Sequence, residues 1–260
     1  MSHIEARRTA GSSPGSMSRG LWERLSPRLL PIAVVLAIAI WLIESGLASD
    51  LLWFQEDIIY LGWQHLALVA WGGGLAILTA VPAGALLSRP ALRRWSELLL
   101  QVFNLGSTIP TLAILALSMT FLGIGTLPAV FGLWAITLLP IVRNTYSGLR
   151  AVPSHLVEAA RGMGMTSWQV FWKVELPNAL FVIIGGIRTA LAVCVGTAPL
   201  AFLIGAGGLG ELIFTGIALN DIAMMLAGAI PTAVIAVLTD FVVGKIQYYA
   251  VPRGINPVRS

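Results

Sequence analysis

Apolar residues along this chain come in long unbroken runs, not in the alternating or amphipathic patterns of a water-facing domain. A helix needs about 20 apolar residues to cross the hydrocarbon core of a bilayer. Runs near that length lie at 29–47, 66–87, 98–122, 127–142, 179–204 and 222–247. The fourth is the shortest, and a re-entrant run would change the number of crossings to five or seven. The pattern predicts an all-α, polytopic integral membrane protein of about six transmembrane helices.

One polar interruption is long. Segment 144–177 separates the fourth and fifth runs, and a connection of that length carries structure of its own. Its letters predict a helical hairpin. Ser154 is placed to N-cap a first short helix holding Glu158, Ala159 and Ala160, and Gly162 or Gly164 to end it in the left-handed conformation. Thr166 and Gln169 have capping-box spacing for a second helix, with Met165 and Val170 as a hydrophobic staple. Trp168, Phe171 and Trp172 share one face of that helix. Pro177 is expected to stop it and to bias Leu176 away from helical geometry. An exposed aromatic face implies a protein partner or a membrane surface.

Composition excludes a soluble domain: 57% of the 260 residues are hydrophobic and only 11% charged, against about a quarter charged in soluble chains. Charge placement orients the bundle. Arg7, Arg8, Arg19, Arg24 and Arg28 precede the first run, and Arg89, Arg93 and Arg94 follow the second. Arg143, Arg150, Arg161 and Lys173 lie between the fourth and fifth, and Lys245, Arg253 and Arg259 at or beyond the end of the sixth. With six crossings, all of the 16 basic residues except Arg188 fall on one side. The positive-inside rule then puts both termini in the cytoplasm. Asp50, Glu56, Asp57, Glu211 and Asp221 mark the other side. The net charge of +4 therefore reflects orientation and gives no support to nucleic-acid binding.

Residues 1–28, rich in Ser, Gly and Arg, read as a disordered tail, with Met17 an alternative start. Gly46-Leu47-Ala48-Ser49 offers small residues for signal cleavage, but the preceding run is longer than an ordinary signal core, which favours an uncleaved span. Trp53, Phe54, Tyr60 and Trp63 suit an interfacial helix between the first two spans. Cys194 reads as a small packing residue. Arg188 and Asp240 are charges inside runs, at depths that match; they either pair within the inner half of the bundle or snorkel separately to its surface.

Glu158-Ala159-Ala160, then Gly164, Val174 and Leu176-Pro177 at fixed spacing, resembles the EAA loop of ABC importer permeases. Val174 stands where isoleucine is common. The resemblance extends to Ser107-Thr108-Ile109-Pro110-Thr111-Leu112-Ala113, to Leu139-Pro140-Ile141-Val142-Arg143-Asn144-Thr145-Tyr146-Ser147-Gly148-Leu149, to Gly185-Gly186-Ile187-Arg188-Thr189-Ala190 and to Gly205-Ala206-Gly207-Gly208-Leu209-Gly210. Together these are similar to permeases of the osmoprotectant branch, which import glycine betaine, choline, carnitine or proline betaine; the similar region covers about 66–240 and leaves out the chain before it.

The resemblance implies a type I ABC importer permease (MetI-like) fold in a bacterial inner membrane. Transport would proceed by alternating access, with no covalent chemistry in this subunit. It implies two ATPase subunits that carry the ATP and Mg, an extracytoplasmic substrate-binding protein, and a second permease copy or paralogue. The ATPases would dock on Glu158, Ala159, Ala160, Gly164, Trp168, Phe171, Trp172, Leu176 and Pro177. Candidates for a translocation path or gate are Thr108, Pro110, Pro140, Asn144, Gly205, Gly207 and Gly210. The implied organisation is a cytoplasmic tail (1–28), a first span with an extracytoplasmic interfacial segment (29–65), a permease domain (66–248) with its coupling loop at 144–177, and a cytoplasmic tail (249–260). Two alternatives remain: an ABC permease for an amino acid or other small solute, or a secondary transporter driven by an ion gradient.

Several patterns carry less than they suggest. Gly205, Gly207 and Gly210 spell G-x-G-x-x-G, which binds a dinucleotide only between a strand and a helix N-terminus. Here it follows a membrane run and reads as a tight turn or a gate-forming loop. No G-x-x-x-x-G-K-[ST] occurs, so the chain has no P-loop. His3, His65 and His155 are too scattered for a metal site. Pro110, Pro128, Pro140, Pro199 and Pro231 are either ordinary kinks or breaks around a central path. Gly72-Gly73-Gly74 and Gly185-Gly186 permit close helix packing. Trp71 and Trp134 are not assigned to substrate on aromaticity alone.

Overall fold

The computed structural model describes residue 44 and residues 46–106, 108–252 and 254. The tail at 1–28, nearly all of the run at 29–47, and Ser107, Arg253 and Arg259 lie outside the described residues. Among the described residues, those up to Leu52 belong to one unit and those from Trp53 to a second. In the first, a bend at Gly46 leads into the short helix α1 (Leu47–Trp53), where the Ser49 hydroxyl donates to the Gly46 carbonyl at 2.6 Å.

The second unit is nearly all helix. Its elements are α2 (Gln55–Leu87), a 3₁₀ turn (Pro90–Leu92), α3 (Arg93–Gly106), α4 (Thr111–Leu122), α5 (Thr126–Arg150), α6 (Ser154–Gly162) and α7 (Ser167–Val170). A π turn (Phe171–Glu175), α8 (Leu176–Thr197), a 3₁₀ segment (Ala198–Ile204), α9 (Gly210–Leu219) and α10 (Ile222–Ala250) complete it. Among the described residues, four helical stretches are long and apolar enough to cross a membrane: Gln55–Leu87, Thr126–Arg150, Ser167–Ile204 and Ile222–Ala250.

Helices α2, α5 and α8 form the core, with α10 laid on α8, α9 on α10 and α4 on α5. Absent side chains let the central helices meet closely. A Cβ on Gly84 of α2 would stand 2.7 Å from the Thr145 Cβ of α5, and one on Gly186 of α8 would stand 2.3 Å from the Asn144 Cβ. Between such crossings lie Leu68, Leu115, Leu133, Ile141 and Val195, all fully or almost fully buried.

Four expectations are corrected. The interfacial segment and the second span are one helix, because no glycine or proline interrupts the chain from Gln55 to Leu68 beyond an accommodated Gly62; the boundary at 65/66 falls mid-helix. The run at 98–122 is two helices, parted at Pro110, whose ring biases Ile109 out of helical geometry and which itself precedes the first turn of α4. The fourth span does not stop at 142 but runs on to Arg150, so the first residues of segment 144–177 are helical continuation. Pro128 lies in the first turn of α5, where a missing N–H costs nothing, while Pro140 and Pro231 are inside helices.

Candidate functional site

The predicted hairpin is α6, a turn and α7. Pro153, not Ser154, occupies the N-cap of α6 and makes no side-chain cap, so Ser154 is the first helical residue. Pro153 sits at φ −58° and ψ 131°, an extended conformation that its ring favours, and this moves the helix start one residue on. Gly162 is helical; Gly164 takes the left-handed conformation, at φ +83°. The Gly164 N–H donates to the Arg161 carbonyl and the Met165 N–H to the Ala160 carbonyl, a complete Schellman termination. Ala160 is buried while Glu158 and Ala159 are exposed. Next, Thr166 and Gln169 form a reciprocal capping box, with bonds of 2.9 and 3.3 Å.

The chain does not leave the helix at Pro177. Leu176 is helical, at φ −62° and ψ −47°, and its N–H reaches back to the Phe171 carbonyl. The turn is one residue wider than an α-helical turn. That width separates the proline ring from the preceding carbonyls it would otherwise strike, so the second hairpin helix runs on into the span. The Asn178 amide donates to the Val174 carbonyl at 2.7 Å and satisfies part of the opened turn.

Trp168, Phe171 and Trp172 form one aromatic cluster, with centroids 5.3 to 6.1 Å apart. Phe171 packs on the core beside Leu149 and Leu176, leaving the two tryptophans exposed. Their face borders an apolar groove of about 480 Å³ against Val81, Pro82 and Leu86 of α2. Arg89 locks the arrangement. Its guanidinium pairs with Glu175 at 2.7 Å, donates to the Ala85 carbonyl and Ser88 hydroxyl, and lies 4.9 Å from the Phe171 ring centre. Glu158, Arg150 and Arg161 line a polar cleft beside this lock. Sequence reasoning counted Arg89 only as an orienting charge, since no local spacing joins positions 89 and 175.

The path candidates fall in three places. Thr108 and Pro110 mark the break between α3 and α4, where the Thr108 hydroxyl donates to the Leu105 carbonyl at 2.7 Å. Pro140 and Asn144 are one turn apart on α5; the Asn144 amide donates to the Pro140 carbonyl at 2.8 Å and its side chain fills the gap over Gly186. Gly205, Gly207 and Gly210 belong to a loop that follows a 3₁₀ segment, not a strand, and leads into α9. Gly205, Gly207 and Gly208 all have positive φ. The Gly208 N–H donates to Gln64 Oε1 at 3.0 Å, and the Gly125 N–H to the Ile204 carbonyl at 2.8 Å, which ties this region to the third turn of α2 and the N-cap of α5. Gly210 lies directly on the backbone of Pro199.

Arg188 and Asp240 meet across α8 and α10. The guanidinium Nε and Nη2 donate to Oδ1 and Oδ2, a two-pronged ion pair. A turn nearer the hairpin, Gly244 lies beside the guanidinium, and further on the Gln247 amide donates to the Phe181 carbonyl at 2.8 Å. The two antiparallel helices thus join through polar contacts two turns apart. Sequence reasoning missed Gln247 and Gln64, which were unremarkable single amides.

Residues 76–253, which take in the hairpin, the ion pair and the glycine loop, match the family described as binding-protein-dependent transport system inner membrane component. The chain is 53% identical over 214 residues to the osmoprotectant import permease protein OsmY of Salmonella typhimurium, covering 82% of this chain and 91% of that protein. It is 42% identical over 210 residues to the carnitine transport permease protein OpuCB of Listeria monocytogenes, covering 80% and 95%. Among solved structures, an inward-facing form of the MetNI methionine ABC transporter superposes with a TM-score of 0.67 at 25% identity, over 75% of this chain and 96% of that one. A helical bundle, a helical hairpin and a family match that spans both make the chain a member of the binding-protein-dependent transport system inner membrane components, the permease subunits of ABC importers.

Proposed function

We propose that this permease passes a small quaternary-ammonium osmoprotectant, such as glycine betaine, carnitine or choline, into the cytoplasm. The 53% identity to an osmoprotectant import permease over most of the chain carries the reading. In it, two ATPase subunits dock on the α6–α7 hairpins of this chain and of a second copy or paralogue. Glu158, Ala159, Ala160 and Gly164 shape that contact, and Trp168, Phe171, Trp172, Leu176 and Pro177 carry its motion inward. ATP and Mg belong to the ATPases. A binding protein delivers solute at the opposite end, near the glycine loop. Both termini are cytoplasmic, as the one-sided basic residues favour.

The geometry supports transmission through one element. Ser167–Ile204 is a continuous helical stretch of 38 residues, from the hairpin to the glycine loop. At about 1.5 Å per residue it is about 57 Å long, longer than the hydrocarbon core is thick. A push on the hairpin moves this rod as a body, and Arg89 couples it to α2. Binding energy shifts the packing only where ATP and the loaded binding protein prefer one arrangement to the other.

Uptake by proteoliposomes that hold the permease, its ATPase and its binding protein tests the reading. ATP-dependent accumulation of labelled glycine betaine, carnitine or choline, unaffected by excess methionine, is expected. Accumulation driven by an ion gradient without the ATPase would overturn it in favour of a secondary transporter, and methionine competition would favour an amino-acid permease.

A further inference from the structure

The Arg188–Asp240 pair is not enclosed by its own chain. Each side chain is 42% exposed. Ala192 lies one turn beyond Arg188 on α8, Ala233 two turns before Asp240 on the same side of α10, and Gly244 beside the guanidinium. No bulky residue at those positions covers the charges, and Ala233 is itself exposed.

The pair also lies within apolar runs on both helices. Counted from Leu176 and from Ala250, the two hairpin-side ends, it lies about 18 Å and about 15 Å along its helices at 1.5 Å per residue. Half of a hydrocarbon core is about 15 Å. Both helices are longer than the core is thick, so part of that distance lies outside the hydrocarbon; the charges sit in its inner half, bonded to each other and not reaching separately for the surface. Half-exposed charges at that depth face water or protein, because lipid would leave them unsolvated.

We infer that the α8–α10 face around Arg188 and Asp240 lines the water-filled translocation path, and that the pair sets the charge selectivity of that path. This rests on the reading of the chain as an importer permease. A closed ion pair presents no net charge, so it admits both a zwitterion, such as a betaine, and a monovalent onium, such as choline. Removal of one partner changes that. Arg188→Gln leaves a lone carboxylate, which attracts a cation more than a zwitterion; Asp240→Asn leaves a lone guanidinium, which repels it. For unit charges about 6 Å apart in water, the difference amounts to about threefold.

Two measurements test the inference. In a Cys194→Ala background, Ala192→Cys and Ala233→Cys in the assembled complex are exposed to a membrane-impermeant trimethylammonium methanethiosulfonate and, separately, to a lipophilic maleimide. Reaction of both positions with the charged reagent is expected; reaction only with the lipophilic one would place the face against lipid and overturn the inference. The second measurement is the ratio of choline to glycine betaine uptake at saturating binding protein. Arg188→Gln should raise it about threefold and Asp240→Asn lower it about threefold, with the Arg188→Gln/Asp240→Asn double variant returning near the starting ratio. Unchanged ratios in both single variants would overturn the selectivity role. If a single variant fails to assemble, the double variant and the cysteine pair still decide, since removing both charges together is well tolerated. If the unsubstituted complex transports neither solute, the osmoprotectant reading fails, while reactivity at 192 and 233 still reports whether the face meets water.

Discussion

The two ends of the bundle are held by different physics. At the hairpin end, order comes from polar contacts: the Schellman turn, the capping box, and Arg89 ion-paired with Glu175 and hydrogen-bonded to Ser88 and Ala85. At the glycine-loop end, order comes mostly from absent side chains, with Gly210 against Pro199 and Gly207 beneath Gln64. Polar contacts can be released one at a time, at modest cost each. Backbone-on-backbone packing tolerates no intermediate. The hairpin end is held by contacts that can be exchanged singly, and the loop end by packing that fixes one shape.

Substitutions should break this contrast unequally. The largest effect is expected from Gly210→Ala, whose Cβ would stand 1.9 Å from the Pro199 carbonyl oxygen. Backbone would have to shift at both sites, at about 3 kcal/mol, the upper end for overpacking. A clear drop in the thermal midpoint of the purified complex measures it, and an unchanged midpoint would show that the loop yields after all. Arg89→Met comes next, leaving Glu175 unpaired at 16% exposure. A fully buried pair would cost about 3–5 kcal/mol to break; partial exposure of both partners reduces this to about 2 kcal/mol. Adding Glu175→Gln should restore much of the loss, and additivity in that double-mutant cycle would mean the two do not interact.

Gly164→Ala should cost about 1 kcal/mol, all of it backbone, since the position is left-handed and has open space around it. Its informative readout is ATP hydrolysis stimulated by the binding protein, which Gly164→Val should abolish while insertion and assembly persist. Retained stimulation would show that the aim of α7 does not govern coupling. The smallest effect is Thr166→Ala, about 0.5 kcal/mol for loss of an exposed cap, recovered by Thr166→Ser. SDS titration in mixed micelles has the resolution to separate these last two.

Much of this was legible in the sequence because it is local. The runs at 179–204 and 222–247 lie within helices, the Thr166–Gln169 capping box formed, and Gly164 took the left-handed turn. What failed depended on partners distant in sequence or on competing local rules. Pro177 has a strong preference against a preceding helical residue, yet a wider turn accommodates it. Ser154 is a good cap, but Pro153 took the position before it. The Arg89–Glu175 lock is invisible until α2 and the hairpin are packed together. Arg188 and Asp240 were recognisable as a pair only because isolated charges are so rare in apolar runs.

The π turn at Phe171–Glu175 also fixes an angle. An α-helix advances about 100° per residue, so the one surplus residue in this turn sets the rotational phase between the hairpin and everything on α8. Loss of one residue there would swing Trp168 about 100° around the axis relative to Arg188 and Thr189. The stretch is thus keyed at one joint, and the sides of the bundle that its two ends face are indexed by the length of a single turn.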